Sequence, residues 1–464
     1  MILYNNKLNI VYYKMEPKCD LHNICNTLIQ TYNTSVLDSS NELFKEACTL
    51  EAKKCADETK HKRRYSLDRR VLAKLIVNHS KESDKTVPKE EKKPIATFIG
   101  GPKTLTMQWS KECKKLIYIF GENHSENTDC DKFRLGGEIN EMLIEEYLDQ
   151  LFKNSDVFID FYLETGRQHK YIYGMQRMAV ISERFKDCLH DPHSNYEKCM
   201  LSRMHYFDIR SSASDLTPNR MSDASSMLKL FFRILKNKDK YDLNRFLVKY
   251  RYNTKIKPIL KEFSEIKTDK DYYEFWDKQI NEHTFLNKKV IKSFIHEKIK
   301  SFIKQEIIDL DINTTDLVKK VEESIAIVDK YKDETNDLYD LDSINESDYN
   351  VLLINLKYTG DELTRINSCI ADYYLLCRIF KQFDLEMPVI FSSFRATDEP
   401  SEPHNIIIYA GEAHARRVRK FLKNELDFKM IDKKGYDIKT KANCITMEDF
   451  PQPFFSNHPK VNWN

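Results

Sequence analysis

Hydrophobic and polar positions follow two different rhythms along the chain, and the changes of rhythm mark its organisation. In YSLDRRVLAKLIVNH (65–79), Leu67, Val71, Leu72, Leu75 and Ile76 fall on one helical face, and residues 20–79 read as helices. HSKESDKTVPKEEKKP (79–94) is charged, contains proline and has no large apolar residue except Val87, so it reads as a linker. The period then shortens. Gly100-Gly101-Pro102 is turn chemistry, Leu105, Met107 and Trp109 alternate, and Leu116–Phe120 is apolar throughout, as in a strand covered on both faces. EINEMLIEEYLDQLF (138–152) predicts an amphipathic helix, and DVFIDFYLET (156–165) and RMHYFDIRSS (203–212) predict two more strands.

Residues 221–385 return to a helical period in Lys-, Glu- and Asp-rich stretches such as SSMLKLFFRILKNK and KKVIKSFIHEKIKSFIKQEII. The second is a basic amphipathic helix, read as part of an all-α insertion rather than as a membrane-contacting segment. INSCIADYYLLCRIFKQF (366–383) predicts a helix buried over much of its surface, with Asp372 and Arg378 paired with each other or with a site. PVIFSSF (388–394) and NIIIYAG (405–411) predict buried strands, and HARRVRKFLKNEL a helix. The tail beyond about 433 has no strong period. This order predicts an α/β fold: a mostly parallel sheet of two related halves flanked by helices and interrupted by a long helical insertion. The expected units are 1–94 (helical region and linker), 95–220 (first half), 221–365 (insertion), 366–432 (second half) and 433–464 (tail).

Composition narrows the partners. Lys+Arg 74 against Asp+Glu 72 leaves a net charge of +2, which gives no global case for nucleic acid or an anionic membrane. No apolar run approaches a membrane span or a signal-peptide core, although Met15 offers an alternative start. Eleven scattered cysteines without a C-x-x-C pair predict reduced thiols in a cytoplasmic protein.

The candidate chemistry lies at two strand ends. KKLIYIFGENHSEN (114–127) and NIIIYAGEAHARRVRKFL (405–422) both run an apolar segment into Gly-Glu-x-His. Ten glycines and thirteen histidines would meet at that spacing about 0.3 times by chance. Two occurrences, both with glutamate second, ask for a shared explanation. In an open α/β sheet, functional groups gather beyond the carboxyl ends of the strands. Glu122, His124, Glu412 and His414 occupy that position, as do Glu164 and the Asp208/Arg210 pair. One reading is a divalent metal held by His124, His414 and Glu164 or a motif glutamate, with an open position for water. Another is a metal-free site in which a histidine activates water, a glutamate orients it and Arg210 stabilises negative charge. A plainer reading has each motif capping the helix that follows. His205, Asp208 and Arg210 also read as an ion-paired strand end, and His169, His190 and His193 have no ligand spacing. No nucleotide-cofactor fingerprint, P-loop, H-E-x-x-H or G-x-S-x-G is present.

At these residues the chain resembles the TraB/Tiki family and the related erythromycin-esterase/ChaN-like proteins, which share paired G-x-x-H motifs and an intervening glutamate. Gly121/His124 and Gly411/His414 match the motifs, Glu164 the intervening acid, and Arg210 is a looser match. The resemblance implies two related halves with a site between them, acting as a metal-dependent protease in one branch and as a His/Glu hydrolase in the other. RMHYFDIR, ADYYLLCRIF and IIIYAGEAHA also resemble uncharacterised proteins encoded by large cytoplasmic DNA viruses, which implies host cytoplasm or virion. The expectation is a hydrolase of peptide or ester bonds using Glu122, His124, Glu164, Arg210, Glu412 and His414. The alternative is a non-catalytic viral structural or host-interaction protein that presents its helical insertion to a partner.

Overall fold

The computed structural model describes residues 95–123, 130, 141–155, 157–165, 176–185, 202–208, 291–331, 343–382, 402–435 and 443–455, with scattered positions between 228 and 274. The expectations for 1–94, for the strand at 388–394, for His169, His190 and His193, and for His124 and Arg210 lie outside the described residues.

The element order is β1 (Phe98–Gly100), β2 (Thr104–Ser110), β3 (Lys115–Glu122), β4 (Glu141–Leu143), α1 (Ile144–Lys153), β5 (Ile159–Leu163), α2 (Gln176–Arg184), β6 (Ser202–Tyr206), α3 (Ser293–Ile308), α4 (Thr314–Lys330), α5 (Glu346–Ile379), β7 (Asn405–Gly411), α6 (Glu412–Leu426), β8 (Lys429–Lys434) and β9 (Cys444–Thr446). A six-stranded sheet runs β6-β5-β7-β3-β2-β8, and a three-stranded sheet runs β4-β1-β9. In the larger sheet β2 runs against both of its neighbours, and the other pairings are parallel. β3 and β7 lie side by side at its centre, buried along their whole length, which is why both read as unbroken apolar runs.

The chain steps from β3 past the β7 position to β5 and on to β6, then reverses to insert β7 between β5 and β3. Right-handed crossovers in opposite directions put the connecting helices on opposite faces. α1 and α2 pack with Tyr118, Phe120, Phe161 and Tyr409 on one face. α3, α4, α5 and α6 pack with Ile117, Ile119, Tyr162, Ile406 and Ile408 on the other. The basic helix expected at 288–308 is therefore part of this covering layer: α3 buries Ile295, Ile299, Phe302 and Ile303. α5 is a continuous 34-residue helix that crosses position 365 without a break. Asn313 and Asn345 cap α4 and α5, accepting from the backbone N–H of Asp316 (2.9 Å) and Asp348 (2.8 Å).

Two local expectations are corrected, and the aperiodic tail is placed. The helix read from 138 begins at Ile144, because Glu141–Leu143 pairs with β1 as β4. The tail packs on the core: the Tyr118 and Phe454 rings stack at 4.0 Å, and Phe450 and Phe455 meet Tyr118 edge-on. The Gln452 amide closes this end by donating to Ala96 O (2.8 Å) and accepting from Ala96 N–H (3.2 Å). These aromatics are held by turns rather than by one element, so they show no period. Cys130 and Cys444 are joined as a disulfide with Cα atoms 5.4 Å apart, which corrects the reduced-thiol expectation for that pair; a separation of 314 residues hides it from any spacing rule. Among the described residues no helix is long and apolar enough to cross a membrane.

Phe454→Ala is expected to lower the unfolding free energy by about 3–5 kcal/mol in urea titrations, as for a core aromatic. A loss below about 1 kcal/mol would mean that the tail does not belong to the core.

Candidate functional site

The central strands end in register. Glu122 lies beside Gly411, Leu163 lies beside Tyr409, and the Glu164 N–H donates to Tyr409 O at 3.0 Å. α6 starts directly after β7, so His414 stands in its first turn, over the carboxyl edge of the parallel strands. Its Nε2 lies 3.0 Å from Glu164 Oε1 and its Nδ1 lies 2.6 Å from Asp372 Oδ1 on α5. The second Glu164 oxygen accepts from the Gly411 N–H at 2.7 Å. The second Asp372 oxygen accepts from Arg417 Nε, and Arg417 Nη2 donates to Ser368 Oγ at 2.7 Å. The Phe207 ring closes on the imidazole edge-on, with centroids 6.2 Å apart.

Burial alone would strip the proton from His414. The carboxylates of Asp372 and Glu164 outweigh that effect and push its pKa up to about 9. At neutral pH both ring N–H groups therefore donate to carboxylates. Two cations, His414 and Arg417, face two anions, Asp372 and Glu164. The group is buried and balanced in charge.

The two motif glutamates lie elsewhere. Glu122 follows Tyr118 and Phe120 on the α1 face and accepts from the Tyr409 hydroxyl at 2.5 Å. Its carboxylate and His414 occupy opposite faces of the sheet edge. Glu412 pairs with Arg419 and accepts from Thr104 Oγ1 at 2.5 Å, on the β3 side of β7. Gly121 makes room for it: a Cβ there would sit 2.0 Å from Glu412 Oε2 and 2.6 Å from Thr104 Oγ1. The glycine of the first motif thus seats the glutamate of the second. Of the expected site residues, the structure brings Glu164 and His414 together and sets Glu122 and Glu412 apart from them.

A second buried network continues under α5. Asp160 on β5 accepts from Arg203 Nε (2.6 Å) and Nη2 (3.1 Å) and lies 2.9 Å from His205 Nε2. Arg378 Nη2 lies 2.9 Å from His205 Nδ1, and the Tyr162 ring stacks on this imidazole at 4.5 Å. Burial, with the Arg378 and Arg203 charges against the attraction of Asp160, pulls His205 down to about 3. The ring is neutral, with Nε2–H donating to Asp160 and Nδ1 accepting from Arg378. Asp372 and Arg378 therefore do not pair with each other: Asp372 joins the His414 site and Arg378 joins His205.

Sequence reasoning missed Asp160, Arg203, Tyr409 and Arg417. A signal for two of them was present: Asp160, Tyr162 and Glu164 alternate on one face of a buried strand, opposite Arg203 and His205, which alternate on the next.

Among the described residues, no group of three or more His, Cys, Asp and Glu side chains is arranged to hold a metal ion. His414 Nε2 and Glu164 Oε1 stand 3.0 Å apart as hydrogen-bond partners, closer than the roughly 3.4 Å between tetrahedral ligands about 2.1 Å from an ion. Asp372 on Nδ1 stands where an outer carboxylate would orient a ligating histidine. No protein-family model, curated protein or solved structure matches the chain.

Two outcomes are expected. The folded-state pKa of His414 is raised above its ordinary 6.5, so its stabilisation is complete below about pH 6.5 and is lost as pH climbs through about 9. The stability difference between the natural chain and His414→Gln, taken from denaturant titrations at pH 6 to 10, should shrink over that interval; a flat difference would refute the ion triad. Gly121→Ala should cost about 1–3 kcal/mol from overpacking, and the cost should fall when Glu412→Ala is added.

Proposed function

We propose that the chain is a hydrolase of peptide or ester bonds centred on His414, of the kind expected from the TraB/Tiki and erythromycin-esterase/ChaN-like resemblance. The observation that carries this reading is a histidine at the carboxyl edge of parallel strands with a carboxylate on each ring nitrogen. Asp372 fixes the ring orientation and stabilises its charge. Glu164, the carboxylate on Nε2, accepts the proton of the attacking water. The Nε2–H of His414, released as Glu164 takes that proton, turns to the negative charge developing on the substrate oxygen. His124 and Arg210 are proposed to complete the site from the neighbouring strand ends, on the strength of the motif match alone.

A divalent cation held by His414, Glu164 and His124 would polarise the scissile carbonyl and lower the pKa of its water. Binding it requires His414 to surrender the Nε2 proton, so affinity would rise with pH.

A second reading has a specific observation behind it. Both His414 nitrogens are committed to buried carboxylates, as in a structural clamp joining α5, α6 and β5. This is the non-catalytic alternative, a viral structural or host-interaction protein that keeps the fold.

One experiment separates the two: ester and peptide substrate panels, with metal analysis, on the natural chain, Asp372→Asn and Glu164→Gln. The hydrolase reading expects turnover that falls by about 10²–10⁴-fold in both variants at substrate concentrations that saturate the natural chain. Absence of turnover and of stoichiometric metal, with stability as the only property the variants lose, would leave the clamp.

A further inference from the structure

The strand end of the first motif leads into a segment whose two ends are held by consecutive residues from the far end of the chain. Asn443 Nδ2 donates to Asn123 O at 2.7 Å, and the Asn123 N–H donates to Asn443 Oδ1 at 3.4 Å. Its neighbour Cys444 is bonded to Cys130. The same two residues dock on the small sheet: Asn443 O accepts from the Gly101 N–H at 2.7 Å, and Cys444 pairs with Gly100 in the three-residue β1–β9 ladder. Positions 123 and 130 are therefore tied, one by an amide and one by a covalent bond, to the strand that closes the three-stranded sheet.

We propose that the Cys130–Cys444 bond is a reducible staple that couples β9 to the segment leaving the first motif, so that a dithiol reductant weakens the β4-β1-β9 sheet and leaves the six-stranded sheet folded. This holds whether or not the chain is a hydrolase. The exchange balances. One reductant thiolate attacks one protein sulfur and expels the other as a thiolate. The second reductant thiolate then displaces the mixed disulfide, and the reductant departs as a cyclic disulfide. The protein gains two electrons and two protons as a pair of cysteine thiols. Cys130 is 2% and Cys444 5% exposed, so attack waits on local opening of the small sheet. Such bonds persist in oxidising surroundings, including virion and cell surfaces, rather than in a reducing cytoplasm.

The test uses the full chain, produced in an oxidising compartment and purified without reductant. A non-reducing digest should yield a linked peptide pair containing Cys130 and Cys444. Dithiothreitol should lower Tm by about 5 °C. Hydrogen exchange should rise about tenfold in peptides covering 97–101 and 443–447, with a clearly smaller rise in β3, β5 and β7. Cys130→Ser/Cys444→Ser should sit at the reduced Tm and ignore the reductant; if that variant does not fold, the reductant series on the natural chain decides alone. Both thiols open to alkylation in the unreduced protein would overturn the staple. So would reduction of the bond with Tm unmoved, or protection lost equally across the six-stranded sheet.

Discussion

A carboxylate in the middle of a packed helix sets the terms for this structure. Asp372 is fully buried in α5, where an unpaired charge would cost several kcal/mol. Its two oxygens are met by His414 and Arg417, three residues apart on α6. The second N–H of His414 is met by Glu164 at the end of β5, whose other oxygen takes the backbone N–H of Gly411 at the end of β7. One run of charge-assisted contacts therefore fixes the long helix, the last helix and two central strands relative to one another. None of the four charged groups can be removed without leaving another buried and uncompensated.

The two Gly-Glu-x-His patterns also place their glutamates differently. In the first, Gly121 and Glu122 are the last residues of a strand, and Glu122 follows the strand's alternation onto the α1 face. In the second, the helix begins at the glutamate. Residues two apart on a helix diverge by about 200°, so Glu412 and His414 leave α6 on opposite sides. Glu412 meets Arg419 two turns along, and His414 meets the acceptor it shares with Arg417. The letters repeat, but the backbone periods do not.

This difference locates what was legible in the sequence. The α/β class, the buried central strands and the pairing of Glu164 with His414 follow from apolar runs and from the rule that functional groups collect at carboxyl ends. Sharing of one pocket by all the motif residues does not follow, because side-chain direction depends on whether strand or helix continues past the glycine. Asp372 carried the right clue, a lone acid in an apolar helix, but its partner lay 42 positions away on another element. The Cys130–Cys444 bond was out of reach for the same reason, since contacts between distant segments leave no periodic trace.

Two of the buried imidazoles that meet α5, His205 and His414, show how the same ring can be neutral or charged. His205 sees one carboxylate and two guanidiniums and stays neutral. His414 sees two carboxylates, with Arg417 engaged by one of them, and is held as a cation. Its place in the first turn of α6 works against that charge, because the helix amino terminus carries a partial positive charge. Neither burial nor the helix favours the proton. It is retained by Asp372 and Glu164 alone, so whatever alters either carboxylate, including a ligand arriving on Glu164, bears directly on whether His414 keeps it. That dependence is why the proposed chemistry is assigned to His414 rather than to the neutral imidazole of His205.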